Sequence, residues 1–206
     1  NTNNENLNIK LFYFNSNNIE TIDPEFYNAD ILINFIGKYN GKSLFNSNYL
    51  IPLSIFCKSI KYNVKKWINI SSIGVYDKSF KIIDENTPTK PDNEYEKLKL
   101  DLDLELMLLS KKHYIDLRIL RPSSVLALNM TSTYLGKLIT MIKYRLFFLI
   151  NDDKALINLI NVNDLINAII KLMSMSNSKE IIYNISENLT YIEIANFIKK
   201  ELNLNY

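Results

Sequence analysis

The sequence WINISSIGVYD occupies residues 67–77, and its first five residues predict a β-strand that is buried on both faces. A second apolar run, ADILINFI at residues 29–36, ends at Gly37 and predicts another buried strand. Between these runs, residues 45–63 carry apolar side chains at helical spacing. Strand, helix and strand in this order indicate a parallel sheet, because parallel neighbours need a crossover connection.

The rest of the chain continues this alternation. Further strands are predicted at residues 7–14, 115–120, 156–160 and 180–185, and a proline-containing loop at 82–94. Helices are predicted at 95–112, with one exposed face, and at 133–145, 162–175 with Asn163 as N-cap, and 190–202 with a Thr190–Glu193 capping box. The pattern predicts an α/β fold, a Rossmann-like doubly wound parallel sheet, with residues 1–125 as its nucleotide-binding part and 126–206 as a smaller mixed α/β part that returns to the sheet.

Composition limits the classes of function. The 206 residues are 47% hydrophobic with a formal net charge of +2, which suits one globular domain and gives no charge signal for nucleic acid or a membrane surface. The apolar stretch at 138–150 contains Lys143 and Arg145 and is too short to span a bilayer. Cys57 is the single cysteine, so we expect a reducing, cytoplasmic location. His113, the single histidine, has no partner at metal-ligand spacing, so no metal site is predicted.

A tyrosine and a lysine are spaced for chemistry near the start of a predicted helix. Tyr95 and Lys99 lie four residues apart, which places both side chains on one helical face. An ammonium beside a phenol favours the phenolate, so the pair predicts a lowered tyrosine pKa and acid/base catalysis. The same spacing occurs at Tyr62 and Lys66, where it straddles a helix end and a strand start, so spacing alone is also compatible with a solvated helix face.

Two serines strengthen the catalytic interpretation of Tyr95. Ser71 and Ser72 end the strand at 67–71, and ligands bind at the carboxyl ends of strands in open α/β sheets. A hydroxyl there could donate a hydrogen bond to a substrate oxygen while Tyr95 moves a proton. The plainer alternative is that both serines only terminate the strand.

These segments together resemble extended short-chain dehydrogenases/reductases of the NAD-dependent epimerase/dehydratase kind. ISSIGVYD followed by YEKLK is similar to the family signature Ser-Ser-x-x-Val-Tyr-Gly with a later Tyr-x-x-x-Lys. The other matches follow in the family's order, over about residues 8–202: ILINFIG, Asn48 on the next helix, RILRPSSVLA, NLINVNDLINAI and IIYNISENLTYIEIANFI.

The resemblance implies a role for each matching residue. Tyr95 resembles the catalytic acid/base, Lys99 the residue that holds the nicotinamide ribose, and Ser72 the hydroxyl that binds the reacting sugar oxygen. Ser72 and Ser124 are expected to face the substrate. The resemblance also places a set of residues beside the cofactor, NAD or NADP: Gly37, Asn48, Ser71, Tyr95, Lys99, Pro122 and Ser123.

The implied activity is a nucleotide-sugar 4-epimerase or 4-ketoreductase. Dehydratases of this group usually carry Thr at the Ser72 position and an Asp-Glu pair after it, where this chain has Ile73 and Gly74. The resemblance leaves the sugar, NAD against NADP, and a homodimer open. The alternative is a non-catalytic structural or assembly protein, because ILINFIG is also similar to a strand of the short-chain-dehydrogenase-like subunit of respiratory complex I. That subunit typically lacks the Tyr and Lys.

The sequence departs from the family pattern in its glycines. No Gly precedes Gly37, so the Gly-x-x-Gly-x-x-Gly turn that binds the pyrophosphate is missing from these residues. We therefore expect LNIKLFYF to correspond to the third strand of the usual domain, with about the first 50 residues of that domain missing. Milder departures lie at four positions. Asp77 and Ala127 each replace a Gly of the family pattern, Leu98 replaces a small residue, and Asn161 replaces a His.

We expect these 206 residues alone to bind NAD(H) poorly and to show no useful turnover. Without the glycine turn, the pyrophosphate loses its helix N-terminus, and only the nicotinamide-side contacts remain. Calorimetric titration of the purified chain with NADH measures this affinity. A dissociation constant in the low-micromolar range would contradict both the expectation and the placement of LNIKLFYF.

Overall fold

The computed structural model describes residues 10–16, 18–126, 134–146, 156–176 and 179–205. The strands in these ranges are β1 Ile31–Asn34, β2 Lys66–Ile70, β3 Asp116–Pro122, β4 Ser124–Leu126, β5 Leu156–Asn161, β6 Ile182–Ile185 and β7 Glu187–Thr190. The α-helices are α1 Ile51–Lys61, α2 Glu94–His113, α3 Tyr134–Lys143, α4 Val162–Ser174 and α5 Tyr191–Glu201. A π-helical turn, Asn46–Leu50, leads into α1, and three short 3-10 helices lie at Ile19–Thr21, Pro24–Tyr27 and Ile73–Val75.

Four strands form a parallel sheet in the order β1-β2-β3-β6. Trp67 in β2 lies opposite Leu32 of β1 and Leu117 of β3, so the three apolar strands align along their lengths. All carboxyl ends therefore meet at one edge of the sheet. The prediction of a parallel α/β sheet is confirmed.

Helices cover both faces of this sheet, as the doubly wound prediction requires. Phe56 of α1 and Leu102 and Leu106 of α2 pack with Trp67 in one core cluster. The next residue of β2, Ile68, belongs instead to a cluster with α4. Successive strand residues point to opposite faces, so α4 lies on the face away from α1 and α2.

A second, smaller sheet is formed by three strands from the C-terminal half of the chain. Its strand order is β4-β5-β7, with β4 and β5 parallel and β5 and β7 antiparallel. Its core joins α3 and α5 through Ile142, Leu159, Ile194 and Ile198. β6, from the same half of the chain, completes the main sheet. The predicted division at residues 125 and 126 stays a prediction.

Several predicted elements differ from the structure. Residues 10–14 contain no strand, which contradicts the described part of the strand predicted at 7–14; residues 7–9 lie outside the described residues. β1 has β2 as its only strand neighbour among the described residues. α4 is capped by Asn161, whose side chain accepts from the Asn163 backbone at 2.8 Å, and not by Asn163. β4 and β7 were not predicted, because strands of three or four residues leave little periodicity.

Two other local predictions are confirmed, the Thr190 capping box and the separation of Tyr62 from Lys66. Thr190 and Glu193 form the expected capping box at the start of α5. Tyr62 ends α1 and Lys66 begins β2, so this second Tyr-x-x-x-Lys pair shares no helical face. None of the described helices is both long and apolar enough to cross a membrane.

The stability of the sheet depends on the packing between α1 and β2. Phe56 is fully buried, and its ring meets the Trp67 ring edge-on at a centroid distance of 5.2 Å. We expect Phe56→Ala to lower the free energy of unfolding by about 3–5 kcal/mol, because it opens a cavity in the core. Urea unfolding measures the change. The matched control is Phe80→Ala, at a side chain that is 47% exposed, and an equal loss in both variants would contradict this packing.

Candidate active site

Tyr95 and Lys99 lie in the first two turns of α2, on the face toward the sheet. Asn93 caps this helix by accepting a hydrogen bond from the Glu96 backbone at 3.0 Å. The Lys99 Nζ donates to the backbone oxygen of Ile70 at 3.0 Å and to that of Ile36 at 3.5 Å. These carbonyls lie at or just beyond the carboxyl ends of β2 and β1. Lys99 is therefore bound at the edge of the sheet where ligands are expected.

Ser72 lies directly beyond the end of β2 and starts a short 3-10 helix. Its Oγ accepts a hydrogen bond from the Gly74 backbone at 3.1 Å, which leaves its own hydroxyl proton free to be donated. A Cβ at position 74 would lie 2.8 Å from the Glu96 Oε1, so the turn that holds Ser72 packs closely on the first turn of α2. The structure thus brings Ser72 to the same edge as Tyr95 and Lys99.

The surroundings of Tyr95 differ from the prediction. Burial raises the pKa of the Tyr95 phenol above its usual value, and Tyr39, Glu96 and Asp103 raise it further. The predicted lowering by Lys99 is wrong for this arrangement: the ammonium lies 6.0 Å from the ring centroid and bonds to backbone carbonyls instead. The ring of Tyr39, which sequence reasoning missed, packs against the ring of Tyr95, with the two ring centroids 5.2 Å apart. The surroundings of Tyr95 therefore favour the protonated phenol.

Gly37 and Asn48 shape the entrance beside Lys99. A Cβ at position 37 would lie 2.9 Å from the Asn48 Oδ1 and 3.0 Å from the Lys99 Nζ, so only glycine leaves this space open. The Asn48 amide donates to the backbone oxygens of Lys38 and Leu44 and accepts from the Lys38 backbone. Asn48 thus fixes the loop after β1, and its role toward a cofactor stays a prediction.

The remaining predicted residues lie at the ends of β2 and β3. Ser71 is buried and donates its hydroxyl proton to Asp103, so its side chain is directed into the protein. Pro122 is the last residue of β3, and Ser124, the first residue of β4, is exposed. Ser123 is buried, and its Oγ has no hydrogen-bond partner among the described residues. An unpaired buried hydroxyl at this edge can serve a ligand.

Asp103 is the most buried charged residue beside the site, and the sequence analysis missed it. Its Oδ2 accepts from the Ser71 hydroxyl at 2.8 Å and from Nε and Nη2 of Arg121 at 3.1 and 3.0 Å. Its Oδ1 accepts from the Asn69 amide at 2.9 Å, and Asn69 in turn accepts from Asn34 at 2.8 Å. The carboxylate therefore joins α2 to the ends of β2 and β3.

The predicted exposed face of α2 is present at Glu94 and Lys97, but the helix also carries charged residues on its buried face. Glu96, Lys99 and Asp103 are all buried, and they follow one another at spacings of three and four residues. That spacing is the signal that could have found Asp103, because it puts the carboxylate on the face of Lys99. Of these three residues, only Lys99 is predicted from the sequence to belong to the site.

A polar cluster continues from Arg121 toward the loop at residues 77–93. The Arg121 guanidinium lies 4.8 Å from the centre of the Tyr76 ring, and the Tyr76 hydroxyl donates to the Asn184 Oδ1 at 3.0 Å. The Asn184 backbone donates to Glu85 of that loop at 2.7 Å. Asp77 closes its own turn, since its Oδ1 accepts from the Ser79 backbone at 2.9 Å and this bond lowers the pKa of the carboxyl.

A separate groove of about 830 Å³ lies at the opposite end of the sheet. It is lined mainly by apolar residues near the end of α2 and the start of β3, including Leu108, Tyr114 and Leu117. None of the predicted site residues lines it. The catalytic candidates therefore lie elsewhere, at the carboxyl edge.

Solved structures with the same fold include several enzymes that act on nucleotide sugars. The chain is similar to dTDP-glucose 4,6-dehydratase from Bacillus anthracis in complex with NAD, with 18% identity, a TM-score of 0.69, and coverage of 85% of this chain and 58% of that one. It is similar to UDP-glucose 4-epimerase with UDP-glucose from Thermotoga maritima, with 17% identity, a TM-score of 0.70, and coverage of 87% and 63%. UDP-N-acetylglucosamine 4-epimerase from Bacillus cereus matches at 17% identity, a TM-score of 0.74, and coverage of 87% and 64%.

At these identities the structures establish a shared fold, and the chain spans about three fifths of the length of each. No curated protein matches the chain at a significant level. The family assignment comes from a sequence model that matches residues 15–186, which is most of the chain. The chain belongs to the NAD dependent epimerase/dehydratase family.

Proposed function

We propose that the protein containing this chain is an NAD(P)-dependent enzyme acting on a nucleotide sugar, as a 4-epimerase or a 4-ketoreductase. Tyr95 is its acid/base, Lys99 binds the cofactor ribose, and Ser72 and Ser124 contact the sugar. Family membership and the 4-epimerases among the structures of similar fold support this class of reaction. Because the chain spans under two thirds of those structures, the proposal concerns the whole protein.

One observation carries the proposal. Lys99 is buried at the carboxyl edge with its Nζ bonded to the Ile70 carbonyl, directly before Ser71 and Ser72, while Tyr95 lies one turn earlier on the same helix. Burying a lysine costs free energy that a surface lysine does not lose. The two hydrogen bonds of Lys99 to carbonyls offset part of that cost, and its position at the carboxyl edge beside Tyr95 favours a role in binding a ribose.

The residues present fit the nicotinamide half of NAD(P). Lys99 uses two of its three N–H groups on carbonyls, so one remains for a ribose hydroxyl. Gly37 leaves the space beside that ammonium open, and the Ser123 hydroxyl is buried without a partner in the described ranges. Bound NAD(P) supplies the hydride acceptor or donor; Lys99, Gly37 and Ser123 would hold its nicotinamide end.

Tyr95 and Ser72 then handle the sugar hydroxyl. Ser72 donates its free hydroxyl proton to the sugar oxygen and fixes that oxygen near Tyr95. Tyr95 exchanges a proton with the same oxygen. The raised pKa of Tyr95 favours the phenol, which is the form that donates a proton to a keto oxygen during reduction. Oxidation of the hydroxyl needs the phenolate, which burial opposes.

The non-catalytic alternative also has one observation in its favour. Tyr39 lies over Tyr95, and among the described residues none is found to lower the pKa of the phenol. A structural protein of this fold could tolerate such a covered tyrosine. Retention of a buried Lys99 argues against that alternative, and the substitution of Tyr95 separates the two.

We expect Tyr95→Phe in the complete protein to lower kcat by about 100-fold or more, because proton transfer by a positioned group contributes that much. The measurement is interconversion of UDP- and dTDP-sugars at C4, and reduction of 4-keto sugars with NADH or NADPH. Tyr62→Phe is the matched control, since Tyr62 has the same spacing to a lysine without sharing a helix with it. Normal turnover in Tyr95→Phe would exclude the role given to Tyr95.

We expect Gly37→Ala to weaken NAD(H) binding by the complete protein at least tenfold, which is about 1.4 kcal/mol. The new Cβ would lie 3.0 Å from the Lys99 Nζ and displace it. Gly74→Ala serves as the control, because its Cβ meets the end of the Glu96 side chain instead. Calorimetric titration gives both affinities, and equal losses in the two variants would contradict a role for Lys99 in binding.

A further inference from the structure

Asp103 has no role in the mechanism described above, although it is completely buried beside it. Four donor groups meet its two oxygens: the Asn69 amide, the Ser71 hydroxyl, and the Nε and Nη2 of Arg121. Burial raises the pKa of the Asp103 carboxyl, whereas the Arg121 charge and the hydrogen bonds from Ser71, Arg121 and Asn69 oppose that shift and favour the carboxylate. A buried carboxylate with four hydrogen bonds is a fixed point in the structure.

The position of Asp103 connects this fixed point to the site. Asp103 lies one helical turn after Lys99 on the buried face of α2, and Tyr95 lies one turn before Lys99. Its partners Asn69 and Ser71 flank Ile70, whose carbonyl accepts from the Lys99 Nζ. The same carboxylate thus sets how the end of β2 meets the helix that carries Tyr95 and Lys99.

We propose that Asp103 is a positioning residue, which fixes Tyr95 and Lys99 against the end of β2 and places a negative charge one helical turn from the Lys99 ammonium. This inference rests on the proposed function of Tyr95 and Lys99. Asp103 itself is too deeply buried to touch a substrate. It acts through Lys99, by geometry and by charge.

The charges around Lys99 support this role. Burial lowers the pKa of the Lys99 ammonium, and the Asp103 carboxylate opposes that shift. The other titratable groups facing this region are Tyr95 and Glu96 on α2, Tyr39 from the loop after β1, and Arg121 on β3. Arg121 forms a hydrogen-bonded ion pair with Asp103. The plainer alternative is therefore that the carboxylate only neutralises the Arg121 guanidinium.

Asp103→Asn in the complete protein tests the proposal, because it keeps the side-chain shape and removes the charge. The first readout is the pH titration of the Lys99 side chain, followed by the carbon-13 shift of its Cε and assigned with Lys99→Arg. We expect its midpoint to fall by about one pH unit, since the removed carboxylate favours the ammonium. Asp101→Asn, the same change two residues earlier on α2, is the control and should leave the midpoint unchanged.

The second readout is the pH dependence of kcat. We expect Asp103→Asn to reduce kcat at least tenfold and to move both limbs of the profile to lower pH. Removing the carboxylate lowers the pKa of Lys99, and it also lowers that of Tyr95, which Asp103 raises. Loss of folded protein alone would reduce the amplitude without moving the profile. An unchanged Lys99 midpoint overturns the proposal.

Asp103→Asn leaves Arg121 buried without its counter-charge and could prevent folding. The double variant Asp103→Asn/Arg121→Gln removes both charges and covers that outcome. A folded double variant with a lowered Lys99 midpoint supports the proposal, whereas a normal midpoint and normal turnover would show that Asp103 only neutralises Arg121. The two proposals fail in different experiments. Normal turnover in Tyr95→Phe would exclude the proposed function, whereas the Lys99 titration tests the effect of Asp103 whatever the outcome for Tyr95.

Discussion

The arrangement of the site depends on one buried carboxylate. An ion left without partners inside a protein costs several kcal/mol, so Asp103 is tolerated only where its donors converge. Those donors come from the ends of two strands, Asn69 and Ser71 on the β2 side and Arg121 on β3. A helix shifted by one residue would break this set and turn Lys99 away from the Ile70 carbonyl. The carboxylate therefore fixes the register of α2 on the sheet more strictly than the apolar contacts around Leu102 and Leu106 could, because apolar packing is not directional.

The same carboxylate has opposite consequences for the two groups on its helix. Burial drives both toward their neutral forms, since it lowers the pKa of Lys99 and raises that of Tyr95. The negative charge of Asp103 opposes the shift at Lys99 and adds to the shift at Tyr95. The carboxylate thus favours the charged form of Lys99 and the protonated form of Tyr95. Under the proposed function, this combination favours delivery of a proton to a keto oxygen, and the reverse step needs another positive charge near the phenol.

The sequence predicted the regular part of the fold well, because apolar periodicity reflects burial directly. The two runs around Ile33 and Ile68 became adjacent parallel strands, and the Thr190 capping box was found from its spacing. The aromatic run at residues 10–14 had strand-like composition and forms no strand there, since composition does not supply a neighbour to pair with. Asp103 was missed for a different reason. A buried charge looks like a surface charge in sequence, and only the meeting of Asn69, Ser71 and Arg121 from distant segments distinguishes the two.

A glycine can be required by the local turn or by a side chain that is distant in sequence. A turn that lacks the glycine of the family pattern can be closed by a polar side chain instead. At position 77 the Asp77 carboxylate does this by accepting a hydrogen bond from the Ser79 backbone. A side chain cannot replace glycine where the space beside the backbone must stay open. The chain has only four glycines, and two of them, Gly37 and Gly74, lie where a Cβ would collide with Lys99 or Glu96. Two glycines of this glycine-poor chain thus lie where a side chain would enter the space around α2.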